Sequence, residues 1–430
     1  MSLARPDRFA AHGRTVVVMS EVSNGTWAAM SYLPYRRLFF SSAIVIFGVM
    51  GQAVARGWLA RELTGNNTGL GGVMLVFGAS MLLATPLGGV AADRYSKRTL
   101  LIWSVVALMV SSAFIGVAVV ADVIAYWMLL VASGIQAAAF AFYLPARIAL
   151  ISEVVPAQVL GNAIVVAQMS QEAMRVIAPA LAGVLIGVAW FGVGGVFLLA
   201  GAASGVSAVL LIGLPRGVVR GSTSRSPLAE VVDAVRYMRA TPGLGVIALL
   251  TVGVVMIGFP YLAFLPTLAD ERFGVGAIGF GIMSGVAGLG ALAAGVVDAR
   301  NNRHLRPWLT IACAGVAFGV STIALGLAPT FAVGLVALAG VGASGLVFQT
   351  STQALMLRIS ALEYHGRLQS LVILGFSGFG LAALPLGLLA DATSLRLVLI
   401  GMGVVVLTMT AGFATTRWLQ RRRPSPLDIG

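Results

Sequence analysis

The 430-residue chain has one cysteine, three histidines and only 10% charged residues. Each scarcity excludes something. A lone thiol, Cys313, makes neither a disulfide framework nor a thiolate metal site within one chain. His12, His304 and His365 stand far apart, without the short spacing that brings two ligands to one metal, so no metal site is expected. No nucleophile–base constellation appears, and no phosphate-cradling glycine loop, so neither an enzyme nor ATP use within the chain is expected, and no cofactor. Soluble proteins carry about 25% charged residues, which excludes an ordinary soluble domain.

What is present is apolar. Hydrophobic residues make up 59% of the chain, mean hydropathy is +0.96, and there are 53 glycines. Glycine is commoner in membrane helices than in soluble ones, because it lets helix backbones approach. The apolar stretches are continuous, whereas a membrane β-barrel alternates, so the chain reads as an all-α, polytopic membrane protein. Twelve runs reach the roughly 20 residues needed to cross a bilayer. They lie near 38–61, 71–92, 99–121, 124–147, 161–188, 191–213, 242–267, 277–299, 308–328, 331–356, 368–390 and 396–416. The one long polar interval, Arg216–Thr241, contains Pro227–Ala240 with apolar residues at helical spacing, which predicts a surface helix.

The net charge of +13 sits in short loops and tails between the runs, an orientation signal rather than a nucleic-acid footprint. With both termini inside, 23 of the 28 cations fall on the cytoplasmic side, Arg147 counted with the loop after span 4. Arg56, Arg61, Arg272 and Arg396 then lie toward the outside, and Arg175 within span 5. The expected division is a cytoplasmic tail (1–37), a six-helix bundle (38–215), a cytoplasmic linker (216–241), a second bundle (242–416) and a cytoplasmic tail (417–430) of a plasma (inner) membrane protein. Met1–Tyr35 has too short an apolar core for a signal peptide and no cleavage site, so it reads as a flexible tail. The halves repeat: Pro86–Asp93 at the end of span 2 corresponds to Ala291–Asp298 at the end of span 8, and Ile151-Ser152 to Ile359-Ser360.

Between spans 2 and 3, Gly89-x-x-x-Asp93-Arg94-x-Ser96-Lys97-Arg98 resembles the signature loop of the major facilitator superfamily, with Ser96 where the family usually has glycine. Trp58–Gly65 and Leu144-Pro145-Ala146-Arg147 resemble the branch that contains siderophore exporters, macrolide-efflux proteins and multidrug pumps. The resemblance covers about Arg36 to Arg417 and implies twelve transmembrane helices in two pseudo-symmetric six-helix bundles that rock about a central cavity. Gly88 and Gly89 would admit another helix close to the end of span 2. Asp93 would bond the start of span 11, where a helix N-terminus favours negative charge, and Arg94 and Arg98 would complete the cluster with Glu153, beside Lys97. The alternative is that these charges only enforce topology.

Charges inside a bilayer are expensive and default to functional candidates. Glu172 is the one acidic residue well inside a span, and Gln168, Glu172, Arg175 and Pro179 share one helix face. Glu172 either exchanges a proton as the cavity alternates, or forms a fixed pair with Arg175. Arg175–Gly183 resembles the family's antiporter motif, with Ala178 and Ala182 replacing glycines, and Ser133 stands where the family has a buried arginine in span 4. Spans 1, 4, 7 and 10 border the cavity in this architecture. The substrate candidates are therefore Gln52, Arg56, Gln136, Tyr143, Arg147, Tyr261, Gln349 and Gln353. Amides and hydroxyls in spans also serve simply to bond neighbouring helices. The expected function is secondary active transport, a monomeric proton-coupled exporter of amphipathic small molecules. An importer or facilitator of the same fold, or a transport-inactive sensor or scaffold, are the alternatives.

Overall fold

The computed structural model describes residues 27–217, 227–241, 243–300, 307–361 and 364–422. The first half contains α1 (Leu33–Thr64), α2 (Asn67–Arg94), α3 (Lys97–Val120), α4 (Tyr126–Val154), α5 (Ala157–Ile186) and α6 (Gly192–Ile212). A linker helix, α7 (Pro227–Ala240), precedes α8 (Leu244–Gly258), α9 (Tyr261–Thr267) and a π-helical turn, Leu268–Arg272. The second half continues with α10 (Gly276–Arg300), α11 (Pro307–Leu327), α12 (Phe331–Ile359), α13 (His365–Ala392) and α14 (Leu395–Arg422). Among the described residues, 11 segments are long and apolar enough to span a membrane, and α13 supplies a shorter apolar stretch, Gly378–Ala392. The protein is a twelve-span helical membrane protein of two six-helix bundles.

The helices end where their sequences dictate. Gly65 closes α1 in the left-handed region (φ 67°) while its N–H bonds Arg61 O. Asn66 then caps α2 by accepting from Gly69 N at 2.7 Å. Pro156 precedes α5 and Pro307 opens α11, positions where a missing N–H costs nothing. Two spans differ in detail from the simple runs of the sequence. The seventh span is not one continuous helix: Pro260, which lacks an N–H, stands at the junction between α8 and α9, and the span ends in a π turn. Arg147, expected at the very end of the fourth span, lies inside α4, seven residues before its end, and is buried.

Two seams join the halves, α2 against α13 and α5 against α10. Between apolar helices in lipid there is no hydrophobic drive to associate, so close backbone packing must supply the attraction. Small residues supply it here. A Cβ on Gly71 would lie 2.6 Å from Ala383 O, and Gly183 meets the Gly281 backbone directly. Ala178 and Ala182, the antiporter-motif replacements, face Gly51 of α1, while Gly183, Ala180 and Val176 meet α10. Helix α7 docks on the second half: the Tyr237 ring stacks on Tyr364 (centroids 3.8 Å, 4°), and its hydroxyl accepts from Ala361 N at 2.8 Å.

Candidate functional site

The halves are tied together at the end of the bundle that carries the α1–α2 connection. Asp391, one residue from the end of α13, accepts four hydrogen bonds from the first turn of α2. Asn67 N and Nδ2 donate to Oδ1 (2.9 Å each), and Thr68 N and Oγ1 donate to Oδ2 (2.7 and 2.6 Å). A carboxylate on a helix N-terminus is favoured both by the orphan N–H groups and by the helix dipole. Asn67 Oδ1 in turn accepts from Thr267 Oγ1 at 2.8 Å. Arg61 bonds Glu271 through Nη2, and its Nε lies 3.8 Å from Asp270 Oδ2. Trp58 stacks on Phe280 across the same gap, with centroids 6.2 Å apart.

Sequence reasoning missed this closure, although a signal existed. Pro385-Leu386-Gly387-x-x-Ala390-Asp391 nearly repeats Pro86-Leu87-Gly88-x-x-x-Ala92-Asp93. One expected latch joins the end of α2 to the start of α13. The observed one joins the end of α13 to the start of α2, at the opposite face.

Toward the face that carries the α2–α3 connection, the seams open. Of the α10 glycines that meet α5, the one nearest that face is Gly288, against Val176; further along, Met169, Val165, Leu292 and Val296 are all exposed. On α2, Gly89 lies 18 residues, five helical turns, from Gly71 on the same helix line. Gly71 touches the α13 backbone, whereas a Cβ on Gly89 would meet nothing within 4 Å. The expectation for Gly89 is thus not met, while Gly88 is packed against Ala141 O of α4, inside its own half.

The signature loop braces the first half. Lys97 is buried and its Nζ lies 3.3 Å from Glu153 Oε1 at the end of α4. Arg98 Nη1 donates to Leu214 O (2.9 Å) and Ile212 O (3.3 Å), satisfying carbonyls at the end of α6, and Ser96 Oγ donates to Arg216 O at 2.6 Å. Arg94 is exposed. The side chains of Asp93 and Arg300, and residues Arg303 and Arg306 of the second such loop, lie outside the described residues.

The polar lining candidates separate into groups. Gln52, Arg56 and Gln136 form one buried network: Arg56 Nη1 donates to Gln136 Oε1 (2.6 Å), while Gln136 Nε2 and Ser112 Oγ donate to Gln52 Oε1 (2.8 and 2.9 Å). The Arg56 guanidinium also sits 4.5 Å from the Phe77 ring centroid. Ser133 merely bonds its own helix at Leu129 O. A buried guanidinium therefore does reach α4, but from α1. Arg147 donates through Nη1 to Gln171 Oε1 at 3.1 Å, and Tyr143 donates to Ser42 Oγ at 3.1 Å.

Tyr261 departs from its expected role. It packs into the second half against Phe318 as core. Gln349 and Gln353 are half-buried one turn apart on α12, and Thr350 and Thr352 bond their own helix. Gln168 Nε2 donates to Glu172 Oε1 at 2.9 Å, and Arg175 Nε is 3.9 Å from the same oxygen. Glu172 lies one turn from Val176 on α5, toward the exposed Met169 and Val165.

Among the described residues, no three His, Cys, Asp or Glu side chains form a metal-binding group. Arg56 and Arg147 are 5% exposed each, and no described carboxylate lies within ion-pair distance of either. Burying a cation within a membrane helix without a counter-charge is costly. Two such cations are retained against that cost.

Two parallel six-helix halves, tied together at one face and parting at the other, have the geometry of a membrane transporter. The Major Facilitator Superfamily profile matches residues 38–380, and the chain belongs to that family. It is 25% identical over 315 residues to the enterobactin exporter of Salmonella typhimurium, covering 71% of this chain and 73% of that protein. It is 27% identical over 191 residues to an uncharacterized MFS-type transporter of Bacillus subtilis, 43% of each chain. Among solved structures, a bacterial homolog of the human lysosomal transporter Spinster, inward-facing and unoccupied, superposes with a TM-score of 0.72 at 18% identity, covering 93% of this chain and 99% of that one. A POT family transporter in complex with a thioalcohol-conjugated peptide gives 0.73 at 13% identity, covering 90% and 96%. These likenesses concern the fold.

Proposed function

We propose that this transporter is a proton-coupled exporter of amphipathic small molecules in the plasma (inner) membrane, acting as a monomer. The α2–α3 face, where the cations concentrate, is cytoplasmic, so the described conformation is open to the cytoplasm. The bundles 38–215 and 242–416 move about the linker 216–241, alternately breaking the Asp391 contacts and the seams at the cytoplasmic end.

The observation that carries this reading is the position of Glu172 where α5 and α10 diverge. Its tie to Arg175 is 3.9 Å long and both side chains are partly exposed (31% and 45%). Ion pairs of that kind contribute about 0–1 kcal/mol, too little to hold the carboxylate in one fixed position. Protonation removes the tie, and closure of α5 on α10 then buries a neutral group instead of a charge, which favours outward opening only in the protonated or substrate-loaded protein. The mainly apolar cleft with few polar groups fits an amphipathic solute, and the similarity to an enterobactin exporter supports the outward direction. In vesicles with an imposed pH gradient, Glu172→Gln is expected to abolish gradient-driven efflux of an amphipathic dye while leaving downhill exchange. Unchanged gradient-driven efflux removes the coupling claim.

A further inference from the structure

Among the described buried cations, Arg147 is the one whose surroundings are incomplete. Lys97, Arg61 and Arg175 each have a carboxylate, and Arg56 has an amide and an aromatic face. Arg147 is buried, has one amide partner, and its Nε is buried without any acceptor among the described residues. A guanidinium directs five N–H donors in a fixed fork, matched to the two oxygens of a carboxylate or similar oxyanion.

The group lines a cleft between α1, α4 and α5 whose walls include Tyr35, Phe39, Ser42, Ile46 and Ser170. The Ser42 hydroxyl accepts from Tyr143, and no acceptor for its own proton is found among the described residues. Tyr35 donates to Ala163 O at 2.7 Å. The cleft thus offers donors from Arg147 and the serines, apolar wall from Phe39 and Ile46, and no carboxylate. Arg147 lies seven residues, about 10 Å, inside the α2–α3 end of α4.

We infer that the α1–α4–α5 cleft binds the oxyanion of an anionic amphiphile through Arg147, with Ser42 and Ser170 as flanking hydroxyls. The substrate class of the exporter narrows accordingly from amphipathic molecules in general to those bearing a carboxylate, sulfonate or phosphate. The site itself rests on the cleft; only its use for a transported solute rests on the export reading. An anionic lipid headgroup offers the same chemistry.

The test uses the full chain in phosphatidylcholine nanodiscs and two matched fluorescent probes. 8-Anilinonaphthalene-1-sulfonate carries the oxyanion, and N-phenyl-1-naphthylamine is the same skeleton without it. Arg147→Gln is expected to weaken sulfonate binding about tenfold or more, the range set by losing charge-assisted hydrogen bonds, and to leave the neutral probe unchanged. Arg147→Lys, which keeps the charge without the fork, falls between. Arg236→Gln, on exposed α7, removes the same charge elsewhere and alters neither probe. On the wild-type protein alone, laurate displaces the sulfonate probe and dodecanol does not, a readout that needs no variant to fold.

Equal sulfonate affinity in wild type and Arg147→Gln, or equal loss of both probes, or displacement by dodecanol as strong as by laurate, overturns the inference. Adding phosphatidylglycerol separates the sources. Competition with the probe assigns the oxyanion to lipid, and absence of competition assigns it to a solute, the site standing in either case. Intact Arg147-dependent binding without any efflux defeats the export reading alone. Efflux with Arg147-independent sulfonate binding defeats this inference alone.

Discussion

Replacing Asp391 with asparagine removes the carboxylate that ties α13 to α2 while keeping the side chain's size. The amide oxygen still accepts from Asn67, but its NH2 faces two donors, Thr68 N and Oγ1, now 2.7 and 2.6 Å from an oxygen. Two charge-assisted bonds are lost, and so is the negative charge at the α2 N-terminus. Each such bond contributes about 1.5–3 kcal/mol where solvent is excluded. Asp391 is exposed, so water recovers much of this, and the net loss is about 1–3 kcal/mol. A coupling of that size changes a two-state ratio by about 5–150-fold. Spin labels at Ala121 and Pro329, exposed on the α3–α4 and α11–α12 connections of the two halves, report the separation in a Cys313→Ser background. The wild type should give one short distance, and Asp391→Asn a second, longer population. An unchanged distance distribution would refute the assignment of this contact as a latch.

Gly183→Leu drives a side chain into the Gly281 backbone, an overpacking worth about 1–3 kcal/mol, and should lower the thermal unfolding midpoint and abolish transport. Gly89→Ala meets open space inside α2 and should leave that midpoint unchanged or raise it slightly. Arg56→Gln removes a buried cation whose insertion costs about 2.5–3.5 kcal/mol, against a charge-assisted bond to Gln136 worth about 1.5–3 kcal/mol. Thermal stability should therefore hold or rise slightly while transport falls; a large drop in the midpoint would make Arg56 a purely structural residue.

The span pattern was legible because a bilayer leaves the chain little choice. Every backbone polar group must be satisfied within a helix roughly 20 apolar residues long. Helix α7 was read as Pro227–Ala240 and runs over those residues. The latch was not legible because Asn67, Thr267 and Asp391 are ordinary helix-end residues, 200 and 324 positions apart, that acquire meaning only once α13 lies on α2. Tyr261 looked like lining because span 7 borders the cavity, but the break at Pro260 leaves its ring against Phe318. Arg147 was legible as a span-4 residue, but not its depth, because α4 extends seven residues past it, through Ile148–Val154, beyond the expected end of the span. The missing arginine of span 4 was supplied by α1, a substitution in space that no count along one helix reveals.

The central claim is that the cleft opens to the cytoplasm and is shut at the far face. In the Cys313→Ser background, single cysteines replace Gln168, exposed on α5 within the cleft, and Ala189, exposed on the α5–α6 connection. A membrane-impermeant maleimide is applied to right-side-out and inverted vesicles. The account predicts that Gln168→Cys reacts only in inverted vesicles and Ala189→Cys only in right-side-out ones. Labelling of Gln168→Cys from the outside, or of both positions from one side, would contradict it.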